Sequence, residues 1–157
     1  MYKRHADIII KVNQPEASEL SNDRRGALVI AIMDPYGNEA ALKTMADAGV
    51  SAFAMELMPR ITRAQVMDVL SSQANLAGYR AVIEGAEAFG RAFPMMMTAA
   101  GTVPAAKVFS MGVGVAGLQA IATARRLGAV VTATDVRPAA KEQVASLGAK
   151  FIAVEDE

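Results

Sequence analysis

The sequence predicts an α/β protein of two α/β segments, the second a partial dinucleotide-binding fold built on a parallel sheet. Three observations carry that prediction. Residues 107–137 read as an apolar β-type run, a glycine turn, a helical stretch and a second β-type run. A glycine closes a helical pattern and precedes a strand-like run at Gly49, Gly128 and Gly148, the cadence of helices returning to a parallel sheet through right-handed crossovers. Residues 59–93, between the two α/β segments, are mostly helical. The expected division is therefore an N-terminal α/β segment, 1–70, and a second segment, 71–157, holding a connecting helix and the first half of the dinucleotide fold.

Taken in order, the isoleucine-rich run 6–12 is a strand that Pro15 ends. Residues 16–26 are polar and read as a loop with one helical turn. Residues 27–33 form a second buried strand, and Asp34-Pro35-Tyr36-Gly37 is a turn whose proline and glycine each supply a backbone angle. From Glu39 the apolar positions Ala40, Leu42, Met45 and Ala46 make a helical stripe that Gly49 stops in the left-handed conformation, and 50–55 is the next strand. Residues 71–89 form a long helix in which Gly78 and Gly85 either weaken the helix or permit close packing, and Pro94 stops it. Met95, Met96 and Met97 read as core filling on the approach to the glycine strand, with a cofactor-facing role as the alternative. Residues 150–154 are the last strand, with an unpaired edge opposed only by the acidic Glu155-Asp156-Glu157.

The turn itself is Gly112-Val113-Gly114-Val115-Ala116-Gly117. Gly112 permits the tight turn, Gly114 lets the backbone approach a pyrophosphate at the helix N-terminus, where Val115 and Ala116 begin, and Gly117 lets helix and strand pack closely. Such a triplet is weak evidence alone; following a strand and opening a helix, it is the Rossmann fingerprint. Asp135 ends the second strand about 20 residues beyond the glycines, where a carboxylate accepts hydrogen bonds from an adenosine ribose diol. A 2′-phosphate there meets like charge, so the residues point to NAD(H) rather than NADP(H). Arg137, just past Val136, leaves a second option open, because an arginine there can meet a 2′-phosphate or stack on adenine.

Composition narrows the function classes. Apolar residues make up 53% of the 157, and 16 basic residues balance 16 acidic ones, which fits a globular protein and not a dedicated nucleic-acid binder. With no cysteine there is no disulfide, thiolate metal site or cysteine nucleophile, and the lone histidine, His5, reads as solvated, so no metal site is expected. Two uncharged stretches, 92–106 and 108–124, fail as membrane spans: the first is short and carries Pro94, Gly101 and Pro104, and the second is the glycine turn and its helix. No export signal is read in the opening residues, where Asp7 interrupts a short apolar run.

A second informative stretch is Pro59-Arg60-Ile61-Thr62-Arg63-Ala64-Gln65-Val66-Met67-Asp68. Thr62 and Gln65 have the spacing of a capping box, so a helix is expected to start at Thr62, with Gln65 and Asp68 on one face and Arg60 just outside. The residues alone support two readings. Gln65 is a structural cap, or an arginine, an amide and a carboxylate at one helix entrance orient a carboxamide.

Together the stretches AFAMELMPRITRAQVMDVLSSQANLAGYRAV, RAFPMMMTAAGTVPAAKV and GVGVAGLQAIATARRLGAVVTATDVR closely resemble the NAD(H)-binding component (alpha subunit, domain I) of proton-translocating transhydrogenase, within the alanine dehydrogenase/transhydrogenase superfamily. The resemblance runs from about Ala6 to the end, and the PRITRAQVMD loop, which ordinary dinucleotide-binding domains lack, makes it specific. It implies that Arg60, Gln65 and Asp68 surround the nicotinamide, with Ile61, Thr62 and Ser71 also at the cofactor. It implies further that Gly112, Gly114, Val115, Ala116 and Gly117 hold the pyrophosphate, and that Asp135, Val136 and Arg137 hold the adenosine. The implied reaction is hydride transfer from NADH to NADP⁺ held on a partner component, coupled to proton movement by a membrane component. The implied state is a homodimer, peripheral on the inner, cytoplasmic face of the membrane.

Two alternatives stand beside this. In alanine dehydrogenase, of the same superfamily, a lysine in Lys-Val-Lys-Glu-Pro holds the substrate; here the run is Lys11-Val12-Asn13-Gln14-Pro15, and the amide of Asn13 cannot be a cationic anchor. Asp34-Pro35 stands where that enzyme's histidine region lies, so its acid–base group is missing too. A non-catalytic NAD-binding module needs the glycine turn but has no use for a nicotinamide-orienting loop. The chain is shorter than the family pattern at both ends, so the expectation is an incomplete, inactive piece that binds NADH weakly by itself.

Overall fold

The computed structural model describes residues 6–20 and 25–153; His5 and the acidic tail 155–157 lie outside them. The chain divides into two compact units, 1–70 and 71–157.

In the first unit, β1 (Ile8–Asn13), α1 (Ala17–Leu20), β2 (Leu28–Ile32), α2 (Glu39–Ala48) and β3 (Ser51–Ala54) follow in order. The sheet runs β1-β2-β3, both pairings parallel, with Ile9 opposite Val29 and Val29 opposite Ala52. Alternation decides which side chains enter the core: Val29 and Ala31 of β2 are buried, and Ile9, Ala27, Met33, Leu20 and Met45 join them. α2 ends as its sequence requires, with Gly49 at φ 73° and its N–H donating to the carbonyl of Ala46. Ile8, Ile10 and Val12 of β1 remain exposed.

Two 3₁₀ turns, Met55–Leu57 and Thr62–Met67, then lead to α3 (Val69–Phe89). Here the capping-box expectation fails. No side chain caps the turn at Thr62; the backbone closes it by tight bonds, Ala64 N–H to Ile61 O at 2.9 Å and Asp68 N–H to Gln65 O at 3.2 Å. Such i to i−3 bonds leave no α-helical first turn for a box to cap, and extended backbone at Asp68 separates the turn from the true helix.

The second unit is a strand–helix alternation that follows an antiparallel hairpin. The hairpin pairs β4 (Met96–Thr98) with β5 (Gly101–Val103). After it come β6 (Lys107–Met111), α4 (Val115–Arg126), β7 (Val130–Thr134), α5 (Ala140–Ser146) and β8 (Lys150–Phe151). The order is β6-β7-β8, all parallel, with Lys107 opposite Val130 and Met111 opposite Thr134, the pairing that a right-handed crossover through α4 provides. Val113, Ile121, Ala124, Val131, Ala133 and Val144 fill the core between sheet and helices. β6, as well as β8, is an edge of this sheet.

The three methionines of the hairpin region are not core filling. Met95, Met96 and Met97 are 60%, 52% and 71% exposed, because among the described residues no further strand or helix packs closely on either face of the hairpin. α3 does both things expected of its glycines. Gly78 packs directly on α4, where an added Cβ would lie 2.0 Å from the Ala116 carbonyl oxygen, whereas at Gly85 it would meet nothing within 4 Å.

Candidate dinucleotide site

The β6–α4 junction carries the glycine turn. Gly112 sits at φ 96°, a conformation that side chains disfavour, and its N–H donates to Thr134 O at 2.9 Å, locking the turn to β7. A Cβ on Gly117 would lie 2.0 Å from Gly112 O, so only glycine lets α4 start this close to the strand end. Gly114 differs from both. Its φ of −76° is open to any residue, and a Cβ there would meet nothing within 4 Å. Nothing in the fold demands glycine at that point; the open space above it is where a pyrophosphate would approach. Behind it, the amides of Val115, Ala116 and Gly117 belong to a first helical turn, whose N–H groups have no intrahelical acceptor and whose dipole favours an anion.

Asp135 lies beside the turn. Its Oδ2 accepts the Val113 N–H at 2.6 Å, and its Oδ1 accepts the backbone N–H of Arg137 at 2.9 Å. The Arg137 guanidinium closes on the same carboxylate, Nε to Oδ1 at 2.9 Å and Nη2 to Oδ2 at 3.2 Å, and Nη2 also donates to Val113 O at 3.1 Å. The guanidinium, then the amides of Arg137 and Val113, hold the Asp135 carboxyl well below the usual carboxylate range. Val136, between them, is 98% exposed. Turn, carboxylate and arginine thus form one hydrogen-bonded constellation at the start of α4.

The first unit holds a separate cavity of about 190 Å³ lined by Met55, Glu56, Pro59, Arg60, Gln65 and Asp68, among others. Arg60, Gln65 and Asp68 therefore do share one hollow, although a 3₁₀ turn and not an α-helix brings them there. Ile61 instead lines a neighbouring apolar hollow with Phe53 and Met67. Thr62 is exposed at the start of the turn, and Ser71 lies in the first turn of α3.

Sequence reasoning missed Glu56. Its Oε1 accepts the Met33 N–H at 2.8 Å and its Oε2 accepts it at 3.1 Å, and Oε1 also accepts the N–H of Asp34, which holds the unusual φ of 45°. Burial pushes this carboxyl up, but hydrogen bonds from its own amide, Met33 and Asp34 outweigh that and leave it lowered. Glu56 thereby ties the end of β2 to the segment that leads into the Arg60 cavity. A glutamate 22 residues from its partner gives no local signal. Elsewhere in the unit, Lys11 pairs with Glu19.

Comparisons with known proteins identify the family. Family models for the N-terminal and C-terminal domains of alanine dehydrogenase/PNT match residues 2–77 and 81–157. The chain is 60% identical to an NAD(P) transhydrogenase alpha subunit of Rhodospirillum rubrum, over 97% of this chain and 41% of that protein. It superposes on the crystal structure of transhydrogenase from Sinorhizobium meliloti with a TM-score of 0.93 and 79% identity, over 96% of this chain and 44% of that one. An L-alanine dehydrogenase structure shares the fold, at a TM-score of 0.77 and 21% identity, over 92% of this chain and 41% of that one. The chain spans about two fifths of the length of these relatives. With both domain models matched along almost its whole length, the chain belongs to the alanine dehydrogenase/PNT family, and within it is similar to the transhydrogenase alpha subunits.

Proposed function

We propose that this chain holds NAD(H) for a proton-translocating transhydrogenase, in which hydride passes from NADH to NADP⁺ carried by a partner component. The observation that carries the proposal is the convergence of Arg60, Gln65 and Asp68 on one cavity, since a module that only binds dinucleotide has no need of it. The amides at the start of α4 hold the pyrophosphate, Asp135 holds the adenosine ribose, and Arg60 and Gln65 donate to the nicotinamide carboxamide while Asp68 accepts from it. The nicotinamide supplies the hydride chemistry; the protein supplies orientation and exclusion of water. Hydride passing between two nicotinamides needs no protein acid or base. Ile61, Thr62 and Ser71 support the loop, and Val136 flanks the adenosine. The component works as a homodimer, peripheral on the cytoplasmic face of the membrane, where a separate membrane component couples transfer to proton movement. Among the described residues no helix is long and apolar enough to span a membrane.

The alanine dehydrogenase reading is the weaker one. Asn13 offers no cation to a substrate carboxylate, and Lys11 is engaged by Glu19.

The test is Gln65→Asn in the assembled transhydrogenase, read by single-turnover hydride transfer and by NADH affinity. Shortening the amide by one methylene should slow transfer at least about tenfold with little change in affinity. Unchanged rate and affinity would remove the loop from the mechanism.

A further inference from the structure

We propose that Arg137 is a clasp that sets the choice between NAD(H) and NADP(H), by occupying the Asp135 carboxylate until the adenosine ribose displaces it; this deepens the dinucleotide reading and rests on it. Hydrogen-bond capacity is what makes the two compete. An ionised carboxylate has about four acceptor positions, and in this structure four donors use them. Oδ1 takes the Arg137 N–H and Nε, both at 2.9 Å, and Oδ2 takes the Val113 N–H at 2.6 Å and Arg137 Nη2 at 3.2 Å. A ribose diol therefore gains Asp135 only by evicting a donor.

Two of the four are backbone amides and cannot leave. Val113 is 1% exposed and lies in the turn, and the Arg137 amide is fixed by the chain that leads from β7 to α5. The guanidinium is the donor that can go. The Arg137 side chain is 60% exposed, while that of Asp135 is only 7% exposed, so the arginine swings into water and the carboxylate stays. The ribose hydroxyls take the acceptor positions that the guanidinium gives up, so no oxygen of the largely buried carboxylate is left unpaired and the exchange is reversible.

Two opposite consequences follow for two ligands. Toward a ribose with free 2′- and 3′-hydroxyls, Arg137 is a competitor. Toward a 2′-phosphate it is a counter-charge, because the guanidinium offsets the charge of Asp135 through Nε and Nη2 while its other N–H groups can bind the phosphate oxygens. Arg137 thus narrows the discrimination that Asp135 alone would impose.

The experiment titrates the protein with 5′-AMP, 2′,5′-ADP and NADH, following amide resonances in NMR so that millimolar binding is visible, for wild type, Arg137→Ala and Arg137→Lys. In Arg137→Ala the expected result is 5′-AMP and NADH binding tightened about two- to fivefold and 2′,5′-ADP binding weakened about tenfold. Arg137→Lys, which keeps the charge but loses the fork, should retain most of the 2′,5′-ADP binding. If Arg137→Ala weakens all three ligands alike, the guanidinium is an adenine-stacking or general phosphate contact and the clasp is refuted; unchanged affinities refute it equally. Wild-type protein that binds none of the three at millimolar concentration would overturn the dinucleotide reading itself, and the clasp with it.

Discussion

Substituting Gly78 by alanine puts a methyl group into the contact between α3 and α4. The added Cβ would stand 2.0 Å from the carbonyl oxygen, 2.8 Å from the carbonyl carbon and 3.0 Å from the Cα of Ala116. These are backbone atoms in the first turn of α4, so no rotamer change relieves the clash. Ordinary contact begins near 3.4 Å, so the helices must part by roughly 1.4 Å. Overpacking of this kind costs about 1–3 kcal/mol, against which alanine returns up to about 1 kcal/mol of helix propensity. The net expectation is destabilisation by about 1–2 kcal/mol, or a fall in Tm of several degrees. Gly85→Ala is the internal control. It lies in the same helix with nothing within 4 Å of the new methyl, so only the propensity gain remains and Tm should rise. Thermal unfolding of both variants followed by circular dichroism measures the contrast. Because Ala116 belongs to the turn proposed to bind the pyrophosphate, Gly78→Ala should also weaken NADH binding, while Gly85→Ala leaves it unchanged. Equal stabilisation by both substitutions would show that α3 does not press on the start of α4.

The remaining predictions concern Glu56. Glu56→Gln keeps the shape but gives up charge-assisted bonds to Met33 and Asp34, and should cost about 1–3 kcal/mol at neutral pH in urea unfolding. The folded carboxyl lies below its ordinary value, so its contribution is whole above the unfolded value of about 4.3 and is lost as pH falls through the folded one. The gap between wild type and variant should therefore stay constant from about pH 6 to 8 and close below about pH 4; a gap that persists under acid conditions would assign the cost to packing instead.

What the sequence revealed of the fold was local in origin. Gly49, Gly128 and Gly148 each end a helix at positive φ, and that requirement is written in the residue itself. The parallel pairing of β6 with β7 followed from a connection long enough only for a crossover. Failures arose where a local pattern competed with distant contacts. Thr62 and Gln65 have capping spacing, but the chain there closes in 3₁₀ bonds ahead of α3, so the pattern had no α-helical turn to act on. The methionines at 95–97 are apolar by composition, yet whether they are buried depends on what packs against the hairpin, and adjacent residues carry no sign of that. Site residues divide in the same way. Gly112 and Gly117 carry their reasons in backbone angle and space, whereas the bond of Glu56 to the Asp34 amide and that of Arg137 to the Val113 carbonyl depend on a side chain reaching backbone far away in sequence.

The central claim is that the start of α4 holds the dinucleotide's phosphates, and Gly114→Ala tests it most directly. Backbone at φ −76° accepts alanine, and the new methyl meets no protein atom within 4 Å, so Tm and the amide spectrum should remain those of the wild type. The methyl would instead occupy the space through which pyrophosphate reaches the amides. In an NADH titration followed by NMR, wild-type resonances of Val115, Ala116 and Gly117 should shift, and in Gly114→Ala those shifts should require at least about tenfold more NADH. A folded Gly114→Ala protein that binds NADH as wild type does, with the same amides shifting, would contradict the account.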